Sequence, residues 1–222
     1  MKKIVLITTI ILMSLLSLVC YRDDLYNNTS SKTLAMVSLL PLLLTIYIFT
    51  DPVNIYQGDL SGAGGRAGAD ALCQALYTST FSFLDMPITV KAFISVDSTD
   101  NIKDLAPGYP ATAAVYGVKS VGTLTPIANT WDDLWITVVV SLLNNLDTAT
   151  DTNGNSWWSG SDSNGLYDDS LLSGNCSNWT TSSILQDGQV GDETQYNSTW
   201  LRRAVLNPRP CWFPRKLMCM AY

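Results

Sequence analysis

The sequence predicts an α+β domain with two helices, short antiparallel strands and long loops, held together by disulfides. Three observations carry this. Two stretches, 67–76 and 130–146, place apolar residues at helical spacing. Short runs around 90–97, 157–158 and 217–222 have strand character and are separated by loops rich in Gly, Pro, Thr, Asn and Asp. Cys73, Cys176, Cys211 and Cys219 sit among segments too polar to build a core unaided. The chain is organised around WWSGSDSNGLYDDSLLSGNCSNWT, from Trp157 to Thr180, which is answered by CWFPRKLMCMAY, from Cys211 to Tyr222.

The 222 residues suit one domain behind a leader. Met1-Lys2-Lys3 followed by the apolar run Ile4 to Val19 has the charged start and greasy middle of a secretory signal, and it is short for a spanning helix. Residues 1–20 are therefore expected to be a signal peptide. Cys20 raises a lipoprotein reading in which that cysteine is acylated, although Ser17-Leu18-Val19 lacks the small residue expected before it. A single chain is only a marginal anchor. Residues 21–52 read as a polar spacer and a second apolar segment, Leu34 to Phe49, which is either an anchor or an alternative export signal. Two uncleaved spans would return the rest of the chain to the cytosol, where the cysteines would be wasted. The domain is expected over 53–222, exported to the cell envelope or outer surface and either anchored or shed.

Within the domain, Val53 to Gln57 reads as a short edge strand, and DLSGAGGRAG as a flexible turn into the first helix. The glycines of that turn lack the GK[ST] of a phosphate loop and point to close helix packing. Ala67, Ala71, Leu72, Ala75 and Leu76 mark the expected core face, with Cys73 on a neighbouring stripe. Val90, Ala92, Ile94 and Val96 alternate with Lys91, Phe93, Ser95 and Asp97 as in a half-buried strand. Residues 98–129 read as a loop with a brief strand at Ala114 to Val118.

Thr130 with Asp133 three residues on gives a helix start, and Trp131, Leu134, Trp135, Val138, Val139, Leu142, Leu143 and Leu146 supply a helical stripe. The adjacent Asp132 and Asp133 point about 100° apart on a helix, so they serve the helix start better than shared proton chemistry. Residues 147–155 are a polar loop. Asp151, Asn153, Asn155 and Asp162 faintly suggest a calcium loop, but its sixth place is Ser156 rather than glycine. Trp157, Trp158 and Trp179 read as strand residues filling core rather than as a sugar-stacking platform. Leu217, Cys219 and Ala221 alternate with Met218, Met220 and Tyr222 in a last strand.

The chain has no histidine, which removes the usual general base and the commonest metal ligand. From Asp51 onward 9 Lys and Arg face 17 Asp and Glu, a net charge of −8, which disfavours nucleic acid. The local exception is Arg202, Arg203, Arg209, Arg215 and Lys216. An even set of four cysteines without a CxxC pair argues for two disulfides, and spacing leaves three pairings open.

IYQGDLSGAGGRAGADALCQAL, KAFIS, PIANTWDDLW, WWSGS, NCSNWT and LMCMAY, taken in that order over residues 54–222, resemble the bacterial surface domains of unknown function found in spirochaete lipoproteins. More distantly they resemble the endostatin domain; both have C-type lectin-like architecture. The resemblance implies a C-type lectin-like fold with its terminal strands brought together and a long loop region that binds. It also implies nested disulfides, Cys73 with Cys219 and Cys176 with Cys211. The calcium-dependent sugar motifs of lectins do not carry over, since the chain offers only Leu206-Asn207-Pro208 and Asn178-Trp179-Thr180 in their stead. The zinc histidines and heparin-binding face of endostatin do not carry over either.

The expected function is thus non-catalytic binding or adhesion at a bacterial cell surface, with no cofactor. The expected partner is an extracellular protein or glycan, met through loops 98–129 and 147–199, and the membrane is reached only through the leader, a lipid or the apolar segment. Asp162, Asn164, Tyr167, Asp168, Arg202 and Arg203 are the candidate contacts, because exposed polar loops on a rigid scaffold carry function. A structural envelope lipoprotein is the alternative, and an Asp-dependent secreted hydrolase a remote third.

Overall fold

A computed structural model describes residues 45–84, 89–135, 142–168, 175–203 and 209–222. The chain divides into two units, Met1–Leu43 and Leu44–Tyr222, and everything described lies in the second. The leader, Cys20 and residues 21–44 fall outside the described residues.

Strand β1, Thr45–Thr50, is the axis of the domain. Its sequence TIYIFT is apolar on both faces, which suits a strand covered on both sides. Ile46 and Ile48 point into one hydrophobic cluster, and Tyr47 and Phe49 into the other. The stretch expected to end a second apolar segment is therefore the middle of the fold, and the domain begins at Leu44 rather than at Val53. A long apolar run reads alike as a membrane segment and as a two-sided core strand, and periodicity does not separate them.

With β2 (Val90–Ala92), β3 (Ala114–Val118), β4 (Leu124–Ala128) and the terminal strand, β1 forms a five-stranded sheet. The terminal strand, Met218–Ala221, is β9 once the short strands between are counted, and the order is β2-β9-β1-β3-β4. β1 runs parallel to β3 and antiparallel to β9. Along β9, Met218 and Met220 join the cluster of Ile46 and Ile48, while Cys219 and Ala221 join that of Tyr47 and Phe49. The last strand thus sits inside the sheet and is buried throughout.

Helix α1, Gly65–Leu76, covers the second cluster. Its buried residues are Ala69 and Cys73, with Leu72 and Leu76 half-buried, while Ala67, Ala71 and Ala75 are exposed. The helix is where the pattern puts it, but turned. Alanine is tolerated on either face, so the bond from Cys73 to Cys219 fixes the rotation where the alanines do not.

Residues 90–97 also differ from the half-buried strand expected. The pairing ends at Ala92, and Phe93 and Ser95 are fully buried. Phe93 enters the first cluster, against Trp131, Trp135, Trp157 and Trp200. Ser95 is satisfied there by Ser161 Oγ at 2.7 Å and by the Ile102 amide.

The expected second helix does not appear as one continuous element among the described residues of 130–146. Its start does: the Asp133 amide donates to Thr130 Oγ1 and the Thr130 amide to Asp133 Oδ2, at 3.1 and 3.0 Å. Among the described residues a 3-10 turn over Asp132–Leu134 follows. Residues 136–141 lie outside the described set. The amides of Leu142 and Leu143 donate to Tyr196 and Ile127 rather than back along a helix, and Leu143 is exposed. A separate short helix α2, Leu146–Ala149, has its own cap, since Asn145 Oδ1 accepts from the Thr148 amide.

The remaining strands are two residues each: β5 (Trp157–Trp158) pairs with β7 (Val190–Gly191), and β6 (Asp187–Gly188) with β8 (Arg209–Pro210). Trp157 and Trp158 are fully buried on opposite clusters, so they are core. Trp179 is buried too, but not in a strand. Cys176–Trp179 forms a helical turn, α3, in which all four residues have φ between 53° and 61°, which is left-handed. Such a run costs about 1–2 kcal/mol per residue and persists only where neighbours over-determine it. Here Asn175 Oδ1 caps the Asn178 amide, the Asn175 amide group donates to Val96 O, and Trp179 Nε1 donates to Ser95 O at 2.9 Å. Cys176 is bonded to Cys211. The edge strand expected at Val53–Gln57 reduces to one bridge, Tyr56 with Arg215.

Candidate functional site

Two disulfides are present, Cys73 with Cys219 and Cys176 with Cys211. The first ties α1 to the middle of the sheet. The second ties α3 to the segment between β8 and β9, which carries the exposed Trp212 and Phe213.

That segment reads Arg209-Pro210-Cys211-Trp212-Phe213-Pro214-Arg215. It is held on both flanks. On one side Tyr56 and Arg215 exchange amide-to-carbonyl bonds of 2.6 and 2.8 Å, the Gly58 amide donates to Cys211 O at 2.7 Å, and Gln57 Nε2 donates to Trp212 O at 2.8 Å. On the other side the Cys211 amide donates to Gln186 O at 2.8 Å, and β6 pairs with β8. Two prolines restrict φ further. The result is a loop whose backbone is fixed while its largest side chains face outward.

Trp212 and Phe213 are 40 % and 42 % exposed, with ring centroids 4.6 Å apart, and the Arg215 guanidinium lies 5.1 Å from the Phe213 ring centre. The flanking segments add Val53 and Ile55 on one side and Ile184 and Leu185 on the other, the last 90 % exposed. Six large apolar side chains are thus exposed on three segments that main-chain bonds hold side by side. This pole lies at the end of β1 away from Leu44, a strand length of about 17 Å.

The charges beside it are unevenly matched. Burial lowers the Arg215 pKa, and the nearby Arg209 and Arg203 lower it further, against a weaker opposing pull from Glu193. The Nε of Arg209 and of Arg215 is buried with no acceptor among the described residues. Arg203 meets Asp192 at 3.5 Å. Glu193 is buried, its carboxyl pushed above the ordinary range by desolvation, and its Oε2 has no partner among the described residues.

The loop residues expected to meet a ligand make the following contacts. Asp162 Oδ1 accepts from the amides of Asn164 and Leu166, and its Oδ2 from Asn164 Nδ2, so Asp162 and Asn164 close their own turn. The Tyr167 amide donates to Asn101 Oδ1 at 2.7 Å. Asp168 is buried and ion-paired with Arg202 at 3.1 Å. Asp162 and Asn164 thus shape a local turn, the Asn101 side chain and the Arg202–Asp168 pair tie the loop to the domain, and Arg203 lies near Arg215 on the charged side of the stapled loop. The residues missed were Trp212, Phe213, Ile184 and Leu185; the signal available was the run CWFP between two arginines.

Asp151 Oδ2 accepts from the Ser120 amide, and Asn155 Nδ2 donates to Thr152 O and Asn153 O. Among the described residues no group of three or more His, Cys, Asp or Glu side chains is placed to hold a metal ion. Nor is any described helix long and apolar enough to cross a membrane. No protein-family model matches the chain, and no curated protein matches it.

Proposed function

We propose that this chain is an exported, non-catalytic recognition module of C-type lectin-like architecture, displayed at or shed from a bacterial cell surface, whose ligand is a protein or a glycan. The observation that carries the reading is the stapled pole: a disulfide, two prolines and main-chain bonds on both flanks immobilise a loop that exposes Trp212 and Phe213 beside the half-buried Arg209 and Arg215. Immobilising contact residues beforehand lowers the entropy lost on binding, which is what a recognition surface needs. Disulfides also belong to oxidising compartments, in keeping with export. Binding of the natively exported protein to arrays of glycans and of extracellular matrix proteins tests the reading. It predicts saturable binding to at least one class; silence across both at high micromolar concentration contradicts it.

A structural envelope lipoprotein is the second reading, favoured by the burial of Asp168 and its ion pair with Arg202. Under it, deletion weakens the envelope without loss of any soluble ligand.

A further inference from the structure

We infer that the pole formed by residues 53–55, 184–185 and 209–215 is a docking surface for a protein segment that carries apolar anchors beside one or a few carboxylates. The inference rests on the recognition-module reading and names its surface and its partner's chemistry.

Three observations select this occupant. The first is apolar content. Val53, Ile55, Ile184 and Leu185 are aliphatic, and sugars stack on aromatic faces rather than on branched aliphatic chains, so the patch as a whole suits side chains of a protein. Trp and Arg together are also the residues that dominate protein-protein binding energy when held at the centre of a patch.

The second is charge. The Arg215 guanidinium lies 5.1 Å from the exposed Phe213 ring centre, Arg203 and Arg209 stand near enough to disfavour its charge, and because the Nε of Arg209 and of Arg215 is buried, a partner meets the outer nitrogens of these half-buried side chains. A partner carboxylate at this cluster relieves the repulsion and supplies charge-assisted hydrogen bonds to the guanidinium groups. Asp59 and Asp187 lie on the flanking segments, in a domain of net negative charge. They act against a continuous polyanion such as a sulfated polysaccharide or an anionic lipid surface. An isolated carboxylate among apolar side chains avoids them.

The third is rigidity. The Cys176–Cys211 bond, the Tyr56–Arg215 bridge and the Gly58 and Gln186 contacts fix the loop before any partner arrives. Affinity is then concentrated in few residues, and single substitutions on the pole should be felt strongly.

The test uses a phage-displayed library of random peptides selected on the oxidised protein, with binding of the selected peptides measured against Trp212→Ala, Arg215→Gln and Leu185→Ser variants. Leu185→Ser serves as the safeguard because a side chain this exposed is removed without disturbing the core; retained disulfides and an unchanged melting midpoint qualify each variant. The expected result is a consensus that joins aromatic or aliphatic residues to Asp or Glu. Affinity should fall at least about tenfold for Trp212→Ala and Arg215→Gln, and less for Leu185→Ser. Peptides that bind all three variants as they bind the native protein overturn the inference and leave the recognition module standing. A basic consensus, or binding confined to sulfated glycans or anionic vesicles, also overturns it. No enrichment, together with silent arrays, overturns both.

Discussion

The amide of Gly58 donates to the carbonyl of Cys211 at 2.7 Å, so closely that a Cβ on residue 58 would stand 2.8 Å from the Cys211 Cβ and 2.7 Å from that of Cys176. A side chain has no room there, because both neighbours are ends of one disulfide and neither can rotate away. Gly58→Ala should destabilise the domain by roughly 1–3 kcal/mol, the range of overpacking in a close-packed site. Urea unfolding under non-reducing conditions measures it, and partial loss of the Cys176–Cys211 bond is the expected accompaniment.

Breaking each disulfide separately should have unequal effects. The two bonds span sequence separations of 146 and 35 residues, so the chain-entropy relation assigns about 5 and about 4 kcal/mol to them. Cys73→Ala/Cys219→Ala should therefore lower stability more than Cys176→Ala/Cys211→Ala. The second pair should nonetheless abolish binding at the pole more completely, since α3 loses the bond that helps hold its left-handed turn. Paired melting and binding measurements separate the two effects.

The centrality of β1 constrains processing of the leader. Thr45–Thr50 pairs with both β3 and β9 and contributes to both hydrophobic clusters. N-terminal sequencing of the folded, exported protein should find a start at or before Leu44. A construction beginning at Asp51 should be unfolded by near-UV circular dichroism.

Two buried carboxyls give stability opposite pH slopes. For Asp51 burial acts upward, but hydrogen bonds from the Asn54 amide and side chain and from the Val53 amide, with the Lys216 charge, outweigh it and hold the pKa below the ordinary range. A lowered native pKa contributes stability that is complete above the unfolded value and is lost as pH falls through the native one. Burial raises the Glu193 pKa, with Asp192 adding to it. Its contribution runs the other way, so stability is lost as pH rises from the unfolded value through the native one. Asp51→Asn should flatten the acid limb of a melting-temperature profile. Glu193→Gln should raise the midpoint at neutral pH, each kcal/mol recovered giving about 3 °C at this size.

The local signals of the fold were legible where one residue's chemistry decided the outcome. Thr130 and Asp133 form the reciprocal cap that their spacing implies, Ala114–Val118 is a strand, and α1 spans the expected stretch. What failed depended on the far side of the fold. TIYIFT reads as the tail of a membrane segment until β3 and β9 cover its two faces. The stripe from Trp131 to Leu146 reads as one helix until Leu142 and Leu143 give their amides to Tyr196 and Ile127. Trp179 reads as strand because nothing in NCSNWT announces four consecutive left-handed residues. The candidate site followed the same division. Asp168 looks available because its neighbours in sequence do not reveal Arg202 as its partner, and CWFP suggests no role because nothing in it announces the main-chain bonds to residues 56–58 and 186 that hold it with its rings exposed.

Non-reducing peptide mapping of the natively exported protein, with its thiols quantified before unfolding, bears most directly on the whole account. The prediction is two linked peptides, Cys73 with Cys219 and Cys176 with Cys211, and no free thiol among these four. A folded protein in which all four sulfurs react as thiols, or in which Cys73 is joined to Cys176, would contradict the stapled frame and the recognition surface built on it.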